Sequence, residues 1–134
     1  MGLVAALEWI ASDFSERYNI TFHVIKNTDH FDLNDNIRNI LFQSVRELCN
    51  NIVKHAKATN AYIECAQKTA RMTIVVKDDG IGFDKSALEQ QHSQGFGLFN
   101  IQDRLQYLDG MADIQSSPGK GTKVTLSLPL SSET

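Results

Sequence analysis

Glu47, Asn51, Lys54 and His55 follow one another at steps of four, three and one residues. On a helix this spacing sets an acid, an amide and two potential cations on one wall. At about 100° per residue the last three fall within roughly 80° of Glu47. A stripe of this kind can be a plain solvated face. It can also hold a metal-bound polyphosphate, with the acid orienting a proton or nucleophile, the amide oxygen ligating a hard cation such as Mg2+, and the lysine facing phosphate.

Two downstream segments bear on that choice. Val75-Val76-Lys77-Asp78-Asp79-Gly80-Ile81-Gly82-Phe83 is a β-branched strand running into paired acids and two glycines. An Asp at a strand end can accept a hydrogen bond from an exocyclic amine such as that of adenine. The glycines allow a tight turn and a close approach of backbone to a flat ligand. The alternative is an ordinary turn, since Asp-Gly is a common turn dipeptide. Gly95-Phe96-Gly97-Leu98 then leads into an apolar-periodic run through Ile101, Leu105 and Leu108. Free backbone N–H groups at such a helix start can receive phosphate, or the glycines can simply mark a helix entry. Gly119-Lys120-Gly121-Thr122 lacks Walker A spacing, and no GxGxxG occurs.

In order, ELCNNIVKHA, DDGIGFD, GFGLFNIQDRL and SSPGKGTKVTLSLPL resemble the N, G1 and G2 boxes and the closing strands of the GHKL ATPase superfamily. More closely they resemble the catalytic and ATP-binding domain of two-component sensor histidine kinases. The leading GLVAALEWIASDFSERYNI, the KHA triplet and Asp103-Arg104 are similar to the subfamily that signals to regulators with a helix-turn-helix output domain.

The resemblance implies phosphoryl transfer from Mg-ATP to a histidine on a separate dimerisation domain, and indirectly to a response regulator. It makes Glu47 the acid acting on the acceptor and Asn51 the side-chain ligand to Mg2+. Lys54 and His55 come near the phosphates, and Asp78 meets the adenine amino group with Gly80 and Gly82 beside it. Gly95, Gly97 and Leu98 belong to a lid over the triphosphate, and Thr122 backs the adenine contact. The family often has two glycines after the helix that follows the G2 box; here Asp109-Gly110 keeps the second, which should still allow a turn. A phosphoacceptor histidine with an acidic neighbour on a dimerising helix is not found at His23, His30, His55 or His92. The expectation is a fragment, or one polypeptide of a split system. A serine kinase of the anti-sigma-factor type and a nucleotide-binding module without chemistry are the rival functions.

The elements that must position these residues follow from periodicity. An amphipathic helix is expected from Leu3 to Tyr18, with Leu3, Leu7, Ile10 and Phe14 on one face, then a strand at Thr21–Ile25. Asn34 or Asp35 can cap a regular helix from Asn36 to Lys57, whose apolar face is Leu41, Phe42, Val45, Leu48, Cys49, Ile52, Val53 and Ala56. Strands are expected at Ala61–Ala66 and Met72–Lys77, separated by a polar turn without glycine, and a closing hairpin at Met111–Ser116 and Lys123–Leu128. Between Asp84 and Gln94 a short helical patch and a polar run read as a mobile lid or an ordinary loop, and Ser131–Thr134 as a fraying end. The sum is an α/β protein: a two-layer α/β sandwich, Bergerat-type in the resemblance, with helices on one face of a mixed sheet and one domain over residues 1–134.

Composition fits a single soluble domain. The chain has 134 residues, 42% of them hydrophobic, and a formal net charge of −3. Without a basic cluster, direct nucleic-acid binding is not expected. Cys49 on a buried helix face and Cys65 in a strand are expected as core thiols, which points to a reducing, cytoplasmic setting. No apolar run reaches membrane-span length and Glu8 interrupts any signal-like core. No direct membrane contact is expected of this chain, and an anchor of the parent protein would lie outside it.

Overall fold

The residues at three-and-four spacing are those the fold buries. The computed structural model describes residues 2–84 and 98–130. Helix α1 (Leu3–Arg17) turns Leu3, Leu7, Ile10 and Phe14 inward. Helix α2 (Asp35–Asn51) buries Leu41, Val45, Leu48 and Cys49, and α3 (Leu98–Tyr107) buries Ile101 and Leu105. Asn34 starts α2 by accepting a 2.8 Å hydrogen bond from the Ile37 N–H, with Asp35 in the first turn complementing the helix dipole.

Five strands, β1 (Thr21–Lys26), β2 (Asn60–Lys68), β3 (Arg71–Asp78), β4 (Met111–Ser116) and β5 (Thr122–Pro129), form one sheet in the order β1-β2-β3-β5-β4. The β1–β2 pair is parallel and the others antiparallel, so the sheet is mixed. Each expected strand is present; β4 has the expected bounds, and the others run one or two residues further at one or both ends. The inward positions Ile63, Cys65, Met72, Ile74, Val76, Val124, Leu126 and Leu128 meet the helices.

The other face meets water, and its side chains satisfy one another. His23 stacks on Tyr62 at 4.9 Å, Lys77 lies 5.6 Å from the Tyr62 ring centroid, and Lys77 pairs with Glu64 at 2.9 Å. A sheet solvated on one side is stabilised by such cross-strand pairs.

Three local backbone features stand beside the sequence expectation: two depart from it, and one, the glycine-free turn between β2 and β3, agrees with it. The segment after Asn51 is not regular α-helix: Ile52–Ala56 is a π-turn that ends at Lys57 with φ 52°. The glycine-free turn between β2 and β3 is made by Thr69 in the left-handed region at φ 57°. After α3 it is Asp109, at φ 59°, that takes the left-handed position expected of a glycine. Gly110 is needed for a different reason, since a Cβ there would lie 2.3 Å from the Ser127 carbonyl oxygen.

Among the described residues, no helix is long and apolar enough to cross a membrane.

Candidate functional site

A cleft of about 270 Å3 lies between α2 and the adjoining ends of β3 and β5. Leu48, Ile52 and Ala56 supply its helical wall, Val76 and Val124 its sheet wall, and Ile81, Gly82 and Phe83 the turn beyond β3. Four polar residues converge on this apolar slot, namely Asn51, His55, Asp78 and Thr122. An apolar slot with few, fixed polar groups suits a flat heterocycle whose edge carries hydrogen-bonding groups.

Asp78 is the buried acid of the site, 9% exposed. Burial raises its carboxyl above the ordinary range, and the backbone N–H groups of Gly80 and Thr122 pull it partly back. The Gly80 N–H donates to Asp78 Oδ1 at 2.8 Å. A carboxylate desolvated among Val76, Ile81 and Val124 favours a ligand that brings its own donor.

Its neighbour Asp79 does different work. Asp79 Oδ1 accepts from the Thr59 and Asn60 N–H groups at 2.8 and 3.0 Å, and Oδ2 accepts from Asn60 Nδ2 at 3.2 Å. These bonds, led by that from the Asn60 backbone, hold the Asp79 carboxyl below its usual range. The paired acids are thus one site-facing group and one clamp on the start of β2.

The glycines of the turn are positions of close backbone packing. A Cβ at Gly80 would lie 2.1 Å from the Ala56 carbonyl oxygen, and one at Gly82, with φ +67°, would lie 2.1 Å from that of Ser117. Gly121, at φ +73°, has the Asp78 carbonyl oxygen 2.2 Å from where a Cβ would stand. The approach that the sequence assigned to a ligand is made by the chain itself, which locks the turn between the end of α2 and the β4–β5 hairpin. Ser116 joins the two: its Oγ accepts from the Phe83 N–H at 2.9 Å, donates to the Gly121 carbonyl at 3.1 Å, and lies 2.8 Å from Thr122 Oγ1. With the Ser116 proton given to Gly121, Thr122 donates to Ser116 and keeps its lone pairs.

The polar wall divides beyond Asn51: His55 lines the cleft and Lys54 stands outside it, exposed. Glu47, about 6 Å along the helix from Asn51, is not part of the cleft lining and instead pairs with Arg104 of α3 at 3.0 Å.

Of the residues singled out in the sequence, Asn51, His55, Asp78, Gly82 and Thr122 come together around the cleft. Gly80 packs behind it on Ala56, while Glu47 and Lys54 lie beyond its lining. Leu98 opens α3. Gly95, Gly97 and the segment read as a lid fall outside the described residues, as does the side chain of Leu98. Ser116, Asp79 and Arg104 were missed as functional partners. A lone serine at a strand end carries no signal, and the Glu47–Arg104 pair spans 57 residues of sequence.

Residues 36–132 match the family described as histidine kinase-, DNA gyrase B-, and HSP90-like ATPase. An uncharacterized sensor-like histidine kinase of Chloroflexus aurantiacus is 34% identical over 136 residues, covering 98% of this chain and 23% of that protein. Sensor histidine kinase ComP of Bacillus subtilis is 34% identical over 134 residues, covering 97% of this chain and 17% of that protein. The chain therefore spans less than a quarter of the length of these two relatives. Among solved structures, the histidine kinase domain of the Erythrobacter litoralis EL346 blue-light activated histidine kinase aligns with a TM-score of 0.81 at 22% identity, over 97% of this chain and 62% of that one. Acinetobacter baumannii histidine kinase AdeS aligns with a TM-score of 0.75 at 15% identity, over 94% of this chain and 64% of that one. At these identities the structures establish the fold. The sequence match establishes the family: the chain belongs to the histidine kinase-, DNA gyrase B-, and HSP90-like ATPase family, whose nucleotide is ATP.

Proposed function

We propose that this member of the family is the catalytic domain of a sensor histidine kinase, acting as one unit over its 134 residues. It would bind Mg-ATP in the cleft and pass the γ-phosphoryl group to a histidine on a separate dimerisation domain. From there a two-component response regulator, in the cytoplasm, would receive it. The observation that carries this reading is Asp78, an ionisable acid 9% exposed at the end of an apolar slot.

Adenine fills such a slot with its ring faces against Ile52, Ile81 and Val124, and its amino group donates to the Asp78 carboxylate. Thr122 backs that contact, and Gly82 keeps the turn close enough to enclose the ring. Asn51 and His55 stand where the phosphates leave the slot. Gly95, Gly97 and Leu98 close over the triphosphate in this reading, with Lys54 near its outer end.

The donor set fits a hard cation. Among the described residues no three His, Cys, Asp or Glu side chains gather as a metal cage, so Mg2+ would rest on the Asn51 amide oxygen, phosphate oxygens and water. When bound, Mg2+ supplies charge neutralisation on the phosphates. Glu47 accepts a hydrogen bond from the acceptor imidazole N–H, so that the other ring nitrogen presents its lone pair to the γ-phosphorus. A nitrogen–phosphorus bond forms as the bond to the bridging oxygen breaks, and ADP leaves with the electron pair. Positioning and electrostatics do most of this catalysis.

The test is calorimetric titration of Mg-ATP, followed by transfer of labelled phosphoryl to a histidine-bearing dimerisation domain. Glu47→Gln should bind Mg-ATP within about twofold of the parent, with transfer slowed by about 10²–10⁴-fold. The phosphate formed should be acid-labile. An acid-stable product, or no transfer at all, overturns the reading.

A further inference from the structure

We infer that Arg104 is a positioning residue for the reaction: it holds the Glu47 carboxylate in the direction of the acceptor, and so makes the acid depend on where α3 sits. This rests on the role given to Glu47 above.

The ion pair joins two elements 57 residues apart. It uses one guanidinium nitrogen and one carboxylate oxygen, Nη1 to Oε2, at 3.0 Å. No further hydrogen bond or ion pair engages Glu47 among the described residues, so Oε1 is left to receive the acceptor's N–H. Glu47 and Arg104 are 32% and 33% exposed at their side chains. Water still reaches a pair of this exposure and screens it, which limits what it adds to stability. Without a partner, a partly buried glutamate still samples several rotamers, and a catalytic acid loses effectiveness when it wanders.

Arg104 has a rigid base. Ile101 and Leu105, on either side of it in α3, are wholly buried, so the guanidinium is carried by a helix fixed in the core. Arg46, beside Glu47 on α2, and Lys54, in the π-turn, are exposed and make no ion pair among the described residues, and Arg38 of α2 pairs with Asp35.

The experiment measures kcat and KM for ATP in transfer to a purified histidine-bearing dimerisation domain supplied in trans. The parent chain is compared with Arg104→Gln, Arg104→Lys and Glu47→Gln. Arg104→Gln should lower kcat by about 10- to 100-fold with KM for ATP unchanged within twofold. Arg104→Lys, which keeps a single charged donor, should recover most of it. Melting temperatures are measured alongside; Arg104→Met, which keeps the aliphatic stem, serves if the glutamine variant does not fold. Parent-like or raised kcat in the uncharged variants overturns the inference while leaving Glu47 in place. If Arg104→Gln and Arg104→Lys fall equally, positioning by charge is also overturned. If the parent chain transfers nothing, the proposed function itself fails, and this inference with it.

Discussion

Replacing Asp78 by Asn removes one charge from the cleft and changes almost nothing else. The amide oxygen can still accept from the Gly80 N–H, 2.8 Å from Oδ1 in the parent, so the turn should persist. What is lost is an ionised acceptor facing the ligand, replaced in part by an NH2 group that meets the adenine amino group donor to donor. A hydrogen bond to a charged group contributes about 1.5–3 kcal/mol, or about 10- to 150-fold in affinity. With Asp78 only 9% exposed, water offers little compensation, so the upper half of that range is expected for Mg-ATP. Stability should move the other way. Because burial raises the carboxyl of the folded protein, the charged form opposes folding, and that cost appears as pH rises through the raised value. Asp78→Asn should therefore melt higher than the parent at neutral pH, by a margin that shrinks on acidification towards the ordinary carboxylate range. Protonation of Asp78 in the parent should likewise weaken ATP binding on the acid side. Calorimetry with ATP and GTP, beside thermal melts from pH 7 downwards, reads both effects. An Asp78→Asn variant binding ATP within twofold of the parent, or a parent that binds GTP equally well, would refute adenine recognition by this acid.

Three further outcomes can be checked. Asn51→Ala should abolish the part of ATP affinity that disappears on adding EDTA; titrations with and without chelator would show an unchanged metal dependence if the ligand assignment is wrong. Gly82→Ala should destabilise the fold by about 2 kcal/mol or more, because the new Cβ meets the Ser117 carbonyl at 2.1 Å and φ is +67°; denaturant unfolding within about 0.5 kcal/mol of the parent, on the roughly neutral scale of surface changes, would contradict this packing. Cys49 and Cys65, with thiols pushed up to about 12 by burial, should resist alkylation at pH 8 in the folded protein and react on unfolding. Rapid labelling without unfolding would show that these positions open.

The fold was legible where burial imposes a period. Leu3, Leu7, Ile10 and Phe14 announce α1, and the alternation in β2, β3 and β5 follows from one wet and one dry sheet face. Asn34, one of the two caps expected for α2, is the residue that caps it. What sequence did not carry was geometry set by partners far along the chain. The π-turn at Ile52–Ala56 comes with close packing against Gly80, whose Cβ position is 2.1 Å from Ala56. Nothing in the local spacing of Lys54 and His55 registers that contact. The facing directions expected of Lys54 and His55 were inferred from a helix more regular than the one formed. Asp78 and Asp79 are chemically identical in sequence and differ only in which strand ends surround them.

The order β1-β2-β3-β5-β4 has a consequence for synthesis. Strand β5, made last, lies inside the sheet, hydrogen-bonded to β3 on one side and β4 on the other. Until Thr122–Pro129 has left the ribosome, β3 ends in an unpaired edge that presents Met72, Ile74 and Val76, a template for pairing with another chain. Ser116 and Gly121, which close the turn below Asp78, arrive just before that stretch. A growing chain thus carries α2 well before the strand that completes the cleft beside Asp78 is made, and closing the sheet and forming the cleft are one event.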